Sequence, residues 1–93
     1  MPGNPAFESA SEPERDRLAP AGLSAREEEV LVAWLLTETK SEVARRLFIS
    51  IGTVNTHLSR ARDKYEAVGR SAGTKAALVA RALQDGLVRL DQL

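Results

Sequence analysis

The middle of the sequence has apolar residues at the spacing of one helical face. Four of them are separated by four, three and four positions: Val54, Leu58, Ala61 and Tyr65. This spacing places them on one side of an α-helix. The other positions hold small polar or cationic side chains: Asn55, Thr56, Ser59, Arg60 and Arg62. A helix with one packing face and one small, polar and basic face is suited to the DNA major groove.

Two pairs of capping residues mark the starts of helices before this segment. Each pair is a hydroxyl residue followed three positions later by glutamate: Ser24 with Glu27, and Thr39 with Glu42. Such pairs form capping boxes. They predict a first helix at about 25–38 and a short second helix at about 40–47. The first helix has an apolar stripe of its own: Val30, Leu31, Trp34 and Leu35.

Two further hydroxyl residues mark the starts of the third and fourth helices. Ser50 caps a third helix predicted at about 51–66, and Thr74 caps a fourth that ends before Gly86. Between the second and third helices, Phe48 and Ile49 form an apolar turn that is predicted to fill the core. No segment alternates in the manner of a strand. The predicted fold class is all-α, with four helices of which the second and third form a helix-turn-helix.

The N-terminal segment differs in composition from the rest of the chain. Residues 1–22 contain all four prolines, with Gly3 and Gly22, and only Phe7 and Leu18 as large apolar side chains. This composition predicts a flexible tail or linker at 1–22, followed by one small domain at 23–93. The tail is expected to be either the end of a linker from a preceding domain or a simple extension.

Charge is distributed unevenly, although the net charge is zero. Residues 40–75 contain eight basic side chains against three acidic ones. The first helix is acidic, with Glu27, Glu28 and Glu29 following Arg26. The domain is therefore predicted to have a basic side and an acidic side, and the basic side is the one expected to contact a polyanion.

Composition also excludes several classes of function. The chain has no cysteine and one histidine, which excludes disulfides and leaves few ways to build a zinc site. It has no apolar stretch long enough for a transmembrane helix, and no phosphate-binding glycine loop or nucleophile motif. We therefore predict that the protein is not an enzyme. We expect no catalytic residue, no metal, no cofactor, no membrane partner, and a cytoplasmic location.

Three ordered blocks of the sequence resemble the LuxR/NarL-type helix-turn-helix DNA-binding domain. The segment 23–31, LSAREEEVL, resembles the family's opening L-T-x-R-E-x-E-V-L. The segment 42–44, EVA, resembles its E-I-A, and 47–58, LFISIGTVNTHL, resembles its L-x-I-S-x-x-T-V-K-x-H. The resemblance runs from Leu23 to about Leu83. The chain departs from the pattern at Asn55, where lysine is common, and in a longer loop between the third and fourth helices.

The resemblance implies a function and a set of partners. It implies the sequence-specific DNA-binding domain of a transcription regulator, with the helix at about 51–66 in the major groove of double-stranded DNA. Family members usually follow a receiver or ligand-binding domain, so the domain is expected to be the output domain of a two-component response regulator. The alternative is a protein-interaction module of the same fold that contacts RNA polymerase or a partner regulator and does not itself bind DNA.

Three residues are predicted to contact bases, and a larger group to contact phosphates. Asn55 can donate to and accept from adenine N6 and N7, while Thr56 and Ser59 offer short hydroxyl groups. Cations and helix-capping hydroxyls are expected to contact the phosphates. This group comprises Lys40, Arg45, Ser50, Thr53, Arg60, Arg62 and Lys64. Arg62 and Lys64 have an alternative interpretation as surface ion pairs within their own helix.

Small side chains on the fourth helix predict a contact with a second copy. Ala76, Ala77 and Ala80 give this helix a face that another helix can approach closely. In the resembling family, this helix is the usual dimer contact. A homodimer through the fourth helix is therefore expected, although alanine is also the best helix former and needs no partner to explain it.

Three conspicuous residue types have structural interpretations that we favour. His57 is not expected to be catalytic, because no nucleophile or carboxylate accompanies it in a motif, and the family resemblance implies that it is structural or phosphate-facing. Trp34 is expected to lie in the core. Glu27 and Glu29 are expected to cap and pack the first helix, and not to bind a metal.

Overall fold

The computed structural model describes residues 18–93. Within this range there are four α-helices: α1 at Ala25–Leu35, α2 at Lys40–Leu47, α3 at Ile51–Ala67 and α4 at Lys75–Gln84. A single 3-10 turn follows at Leu90–Gln92. No strand occurs within the described range, so the prediction of an all-α, four-helix domain is confirmed. Of the predicted tail at 1–22, positions 1–17 lie outside the described residues.

Each helix begins at the hydroxyl residue that the sequence indicates. The side chains of Ser24, Thr39, Ser50 and Thr74 each accept a hydrogen bond from the amide three residues later, at 3.0–3.1 Å. At α1 the capping box is complete, because the Glu27 carboxylate accepts from the Ser24 amide at 2.9 Å. At α2 the reciprocal bond is replaced, since the Glu42 carboxylate accepts from Arg45 and Arg46.

The first helix is shorter than predicted. It ends at Leu35, not at about residue 38, and the Leu36 amide still donates to the carbonyl of Val32 at 3.1 Å. Thr39 must adopt an extended backbone, with φ −136° and ψ 152°, to cap α2. The three residues before it are needed to reverse the chain direction, and they cannot remain helical.

The turn between α2 and α3 corrects a second expectation. Phe48 does not fill the core: its backbone is left-handed, with φ +58°, and its side chain is 93% exposed. The Ile49 amide donates to the Ala44 carbonyl at 3.0 Å, which is the closing bond of a Schellman-type helix end. The residue before it must be left-handed, and this conformation turns the Phe48 side chain outward. Ile49 alone packs against the core.

The core is built around α3. Its predicted apolar stripe is buried, with Val54, Leu58, Ala61 and Tyr65 at most 1% exposed. This helix packs against α1 and α2, and α4 packs against α1. The predicted stripe of α1 is also buried, including Trp34 at 9% exposure. The opposite side of α3 therefore faces the solvent, and core packing on the buried side holds the helix in place.

A partly buried polar cluster links the start and the end of the described chain. Arg70, 6% exposed, donates to both carboxylate oxygens of Asp85, at 2.8 and 3.3 Å. It also donates to the side-chain oxygen of Gln84 and to the Ala19 carbonyl, at 3.0 and 3.1 Å. The Tyr65 hydroxyl donates to Asp85 at 2.8 Å. Residues 18–22, assigned to the tail from composition, thus lie against the helical domain.

A second long-range contact joins α1 to α3. The ammonium group of Lys64 lies 2.6 Å from the Glu27 carboxylate, which is 5% exposed. Burial alone would raise the pKa of Glu27, but hydrogen bonds from Lys64 and the Ser24 amide outweigh it and hold that pKa below its ordinary value. The ionised form of Glu27 is therefore favoured by folding.

Glu27→Gln is expected to lower the free energy of unfolding by about 1 kcal/mol near neutral pH. Because the pKa of Glu27 is lower in the folded protein, its stabilisation is complete above about pH 4.5, the unfolded value, and is lost as the pH falls through the folded value. Urea unfolding followed by circular dichroism checks this near neutral pH and near pH 3. If the difference in the free energy of unfolding between variant and wild type is equal at both pH values, the expected pH dependence is wrong. Glu29→Gln is the control, because its pair with Arg26 is largely exposed.

Candidate nucleic-acid interface

The outer face of α3 is exposed over its first three turns. The predicted base-contacting residues Asn55, Thr56 and Ser59 are all exposed, as is Arg60. They lie on a helix whose other side is buried, so their backbone positions are fixed by packing. Beyond Arg60 this outer face carries acidic side chains, Asp63 and Glu66. The part of this face that presents no carboxylate to a polyanion is therefore the N-terminal part of the helix.

The three candidate base-contacting side chains differ in what they present. Among residues 18–93, the Asn55 amide has no hydrogen-bond partner, so both its donors and its acceptor are available. The Thr56 hydroxyl donates to the Gly52 carbonyl at 3.0 Å. Thr56 thus presents an acceptor oxygen and a methyl group. Ser59 lies one turn beyond Asn55 and is exposed.

The start of α3 offers backbone donors. The Ser50 side chain both accepts from the Thr53 amide and donates to the Thr53 hydroxyl, each at 3.0 Å. These bonds fix the cap and occupy the Ser50 hydroxyl proton. The amides of Ile51 and Gly52 belong to the first helical turn, whose donors have no partner within the helix. Such donors at the positive end of the helix dipole suit a phosphate oxygen.

Two of the predicted phosphate-contacting cations are already paired with carboxylates. Arg45 pairs with Glu42 on the surface of α2, and such an exposed pair is weak enough to exchange for a phosphate. The hydrogen bonds from Arg45 and Arg46 lower the pKa of Glu42. Lys64 is held by the nearly buried Glu27 and also donates to the Gly22 carbonyl at 3.3 Å. Lys64 thus lies towards α1, away from the outer face of α3.

The structure brings other cations together around Trp34. Lys40 Nζ and the Arg62 guanidinium carbon lie 5.5 and 5.7 Å from the centre of the indole ring. Lys75 Nζ lies closer, at 4.6 Å. Lys40 and Arg62 are among the predicted phosphate contacts, whereas Lys75 is not. One feature of the sequence relates Lys75 to Lys40, because each directly follows the capping threonine of a helix.

His57 lies on the flank of α3 that also carries Lys64. It is half-buried, and its Nδ1 atom is buried with no hydrogen-bond partner among the described residues. No group of three or more potential metal-ligating side chains occurs in residues 18–93. Within the same range, no helix has both the length and the apolar character required to span a membrane.

The small face of α4 is accessible. Ala76 is exposed, and Ala77 and Ala80 are half-buried. Buried Leu78 and Ala82 attach the opposite side of the helix to the core. A second helix can therefore approach the alanine face, and the homodimer stays a prediction.

Comparison with known proteins identifies one family. The sequence model of a family described as GerE, "Bacterial regulatory proteins, luxR family", matches residues 21–77. The match covers more than half of the chain and extends over α1, α2 and α3 into the start of α4. Searches of curated proteins and of solved structures gave no significant match.

Proposed function

Because the chain belongs to the luxR family of bacterial regulatory proteins, and so is a DNA-binding regulator domain, we propose that α3 reads a specific DNA sequence in the major groove. One observation carries this proposal. The amide of Asn55, which has no hydrogen-bond partner among residues 18–93, stands with Thr56 and Ser59 on the exposed side of a helix whose opposite side is buried. Helix-turn-helix proteins place such a helix in the major groove, with its N-terminal residues on base edges.

The base contacts follow from the chemistry of the three side chains. Asn55 pairs with adenine, since its amide matches the N6 donor and N7 acceptor on the major-groove edge. Thr56, whose proton is donated to Gly52, accepts from an exocyclic amino group or places its methyl against thymine. Ser59 reaches a base directly or through a water molecule.

The phosphate contacts divide into three groups. Ser50 and Thr53 set the start of α3, where the backbone amides bind a phosphate. Arg60, on the outer face, contacts the backbone beside the groove, as does Arg45 after leaving Glu42. Lys40 and Arg62 act with their neighbours around Trp34. Lys64, although predicted to contact a phosphate, is engaged elsewhere, because the Glu27 carboxylate holds its ammonium group and offsets its charge.

The same proposal extends to how the domain dimerises and to the regulatory system in which it acts. Two copies associate through the alanine face of α4 and bind half-sites about one helical turn apart. The domain serves as the output of a response regulator in a two-component system and acts in the cytoplasm, where the bacterial chromosome lies. The small side chains of Ala76, Ala77 and Ala80 support a helix contact of this kind, because they allow a second helix to approach closely.

The test is a selection from random double-stranded DNA, followed by fluorescence anisotropy on the selected duplex and on a scrambled one. The proposal expects the selected duplex to bind about a thousandfold or more tighter than the scrambled one. Affinity should also fall steeply with added salt, because phosphate contacts release counterions. Equal binding of both duplexes would contradict the sequence-reading role. If the protein shows no binding at about tens of micromolar in low salt, it does not bind DNA.

A second surface suits a protein partner. A shallow groove of about 490 Å³ lies on the acidic side of α1, between Glu28, Val32 and Leu87. An apolar floor with acidic walls fits a basic protein segment, and RNA polymerase is the partner we propose for it. If the domain binds no DNA, contact through this groove is the alternative function. Glu28→Lys is then expected to abolish polymerase binding in a pull-down and to leave folding intact.

A further inference from the structure

About half of the lysine and arginine side chains in residues 18–93 have carboxylate partners, and three of those without one lie at a single place. Six of the cations in residues 18–93 form ion pairs: Arg26, Arg45, Arg46, Lys64, Arg70 and Arg89. Three of the others surround Trp34 at 4.6–5.7 Å from the ring centre: Lys40, Arg62 and Lys75. We call these three residues the Trp34 cluster. No acidic side chain within residues 18–93 pairs with any of them.

The cluster is assembled from all four helices. Lys40 is the first residue of α2, Lys75 is the first residue of α4, and Arg62 comes from α3. Trp34 of α1, 9% exposed, forms the floor. Lys40, Arg62 and Lys75 are each only half-exposed, so their charges are less screened by water than those of fully exposed lysines. The starts of α2 and α4 add the positive ends of two helix dipoles.

Arg62 supplies a second, independent indication of an anionic ligand. Its Nε atom is buried and has no hydrogen-bond partner among the described residues. A buried donor without an acceptor is rare in a folded protein. Three cations that converge on one ring repel one another, and a cation–π contact with Trp34 offsets only part of that repulsion. An anion beside the cluster would satisfy the charges and could accept from the guanidinium group.

The cluster lies on the same side of α3 as the proposed adenine-reading residue. Asn55 and Arg62 are seven residues apart, which is two helical turns and about 10.5 Å along the axis. When the N-terminal end of α3 enters the major groove, the later turns rise towards the backbone at its edge. A DNA phosphate is therefore the anion that the position of the cluster favours.

We propose that Lys40, Arg62 and Lys75 together bind one phosphate of the DNA backbone beside Trp34. This inference rests on the proposed DNA-reading function and assigns a backbone contact that fixes how deeply α3 enters the groove. The site spans the starts of α2 and α4, so one phosphate couples both helices to α3. Lys75 becomes a DNA-positioning residue, and it carries no sequence information itself.

Lys75→Gln tests the proposal in the full chain. Affinity should fall about fivefold or more on every duplex alike, and the slope of log affinity against log salt should become shallower by about one. Lys75→Arg, which keeps the charge, should restore most of the affinity. Arg89→Gln removes the same charge from an exposed pair far along the chain and should leave both quantities unchanged. Lys40→Gln is the second variant, in case Lys75→Gln does not fold.

A chemical cycle identifies the phosphate. Neutral methylphosphonate is placed at each backbone position of the selected duplex in turn. At one position the methylphosphonate should weaken DNA binding by the wild-type protein. It should not weaken binding by the Lys75→Gln protein any further, because the variant has already lost that contact. If no position behaves in this way, or if Lys75→Gln binds like wild type while wild type still selects its site, the cluster is not a DNA contact. The DNA-reading function then stands without it.

Trp34 reports on the same site directly, since it is the single tryptophan of the chain. Its fluorescence should change on titration with the selected duplex, and the methylphosphonate duplex should give a smaller change. Inorganic phosphate at millimolar concentration is the comparison. A saturable change with inorganic phosphate alone, unaffected by DNA, would assign the site to a free phosphate and overturn the DNA contact. Failure of wild type to bind any DNA would remove the proposed function and this inference together.

Discussion

Replacing Asn55 with alanine is expected to weaken binding by about 1–3 kcal/mol at one base position of the selected site and to leave the other positions as they were. The reason is that the proposed contact uses both a donor and the acceptor of this amide on one base, and no other protein group in the described residues engages it. Competition anisotropy with every single-base variant of the site measures this. Wild type should discriminate at the adenine position, whereas Asn55→Ala should bind all four bases there almost equally.

Two controls separate base reading from general attraction. Arg60→Gln removes an exposed cation of α3 and should weaken all sequences alike, with unchanged discrimination. Adenine can also be replaced with 7-deazaadenine, which lacks the N7 acceptor. This change should weaken wild type and have little effect on Asn55→Ala. If Asn55→Ala keeps the full discrimination of wild type at every position, Asn55 is not a base-reading residue.

Asp85→Ala is expected to have the largest effect on stability, with the free energy of unfolding lowered by about 3 kcal/mol. Asp85 accepts from the buried guanidinium of Arg70 and from the Tyr65 hydroxyl. Its removal would leave a cation that is 6% exposed without a carboxylate partner. Small domains have little stability to spare, so part of the protein should be unfolded at room temperature. Urea unfolding followed by circular dichroism measures the change.

The matched control for this prediction is Asp91→Ala. This substitution breaks the ion pair between Arg89 and Asp91, in which each side chain is 73% exposed. Such pairs contribute little in water, so the midpoint of unfolding should hardly move. Equal destabilisation by Asp85→Ala and Asp91→Ala would mean that burial of Arg70 does not make its ion pair important. Tyr65→Phe should have an intermediate effect, because it removes one of the two groups that donate to Asp85.

The local features of the fold could be predicted from the sequence because they depend on neighbouring residues. A capping hydroxyl acts on an amide three residues away, as at Ser24 and Thr74. The stripe from Val54 to Tyr65 follows from helical periodicity, and it is buried as predicted. The exposed positions of Asn55 and Thr56 follow from the same periodicity, since they are what the stripe leaves outside.

Features that depend on residues far apart in the sequence could not be predicted from local patterns. Lys64 and Glu27 are 37 positions apart, and Arg70 and Ala19 are 51 apart. No local pattern relates such pairs, so Lys64 resembled an unpaired cation of α3. Phe48 was misplaced for a related reason. Apolar character predicts burial on average, but the left-handed backbone that ends α2 turned this side chain out.

The Trp34 cluster shows the same division within one site. Lys40 and Arg62 could be selected individually as cations near a helix-turn-helix. Their meeting with Lys75 around one indole ring required the packing of all four helices. Most of the candidate residues could thus be selected from the sequence, whereas their proximity to one another and their existing ion pairs depend on how the helices pack.

The most direct test of the central claim is a nuclear magnetic resonance titration of isotope-labelled protein with the selected duplex. If α3 reads DNA through its outer face, the largest amide shifts will lie in the segment from Ser50 to Arg60, with further shifts at Lys40 and Lys75 at the starts of α2 and α4. Shifts confined to Glu28, Val32 and Leu87, on the acidic side of α1, would contradict the account and show that another surface makes the contact.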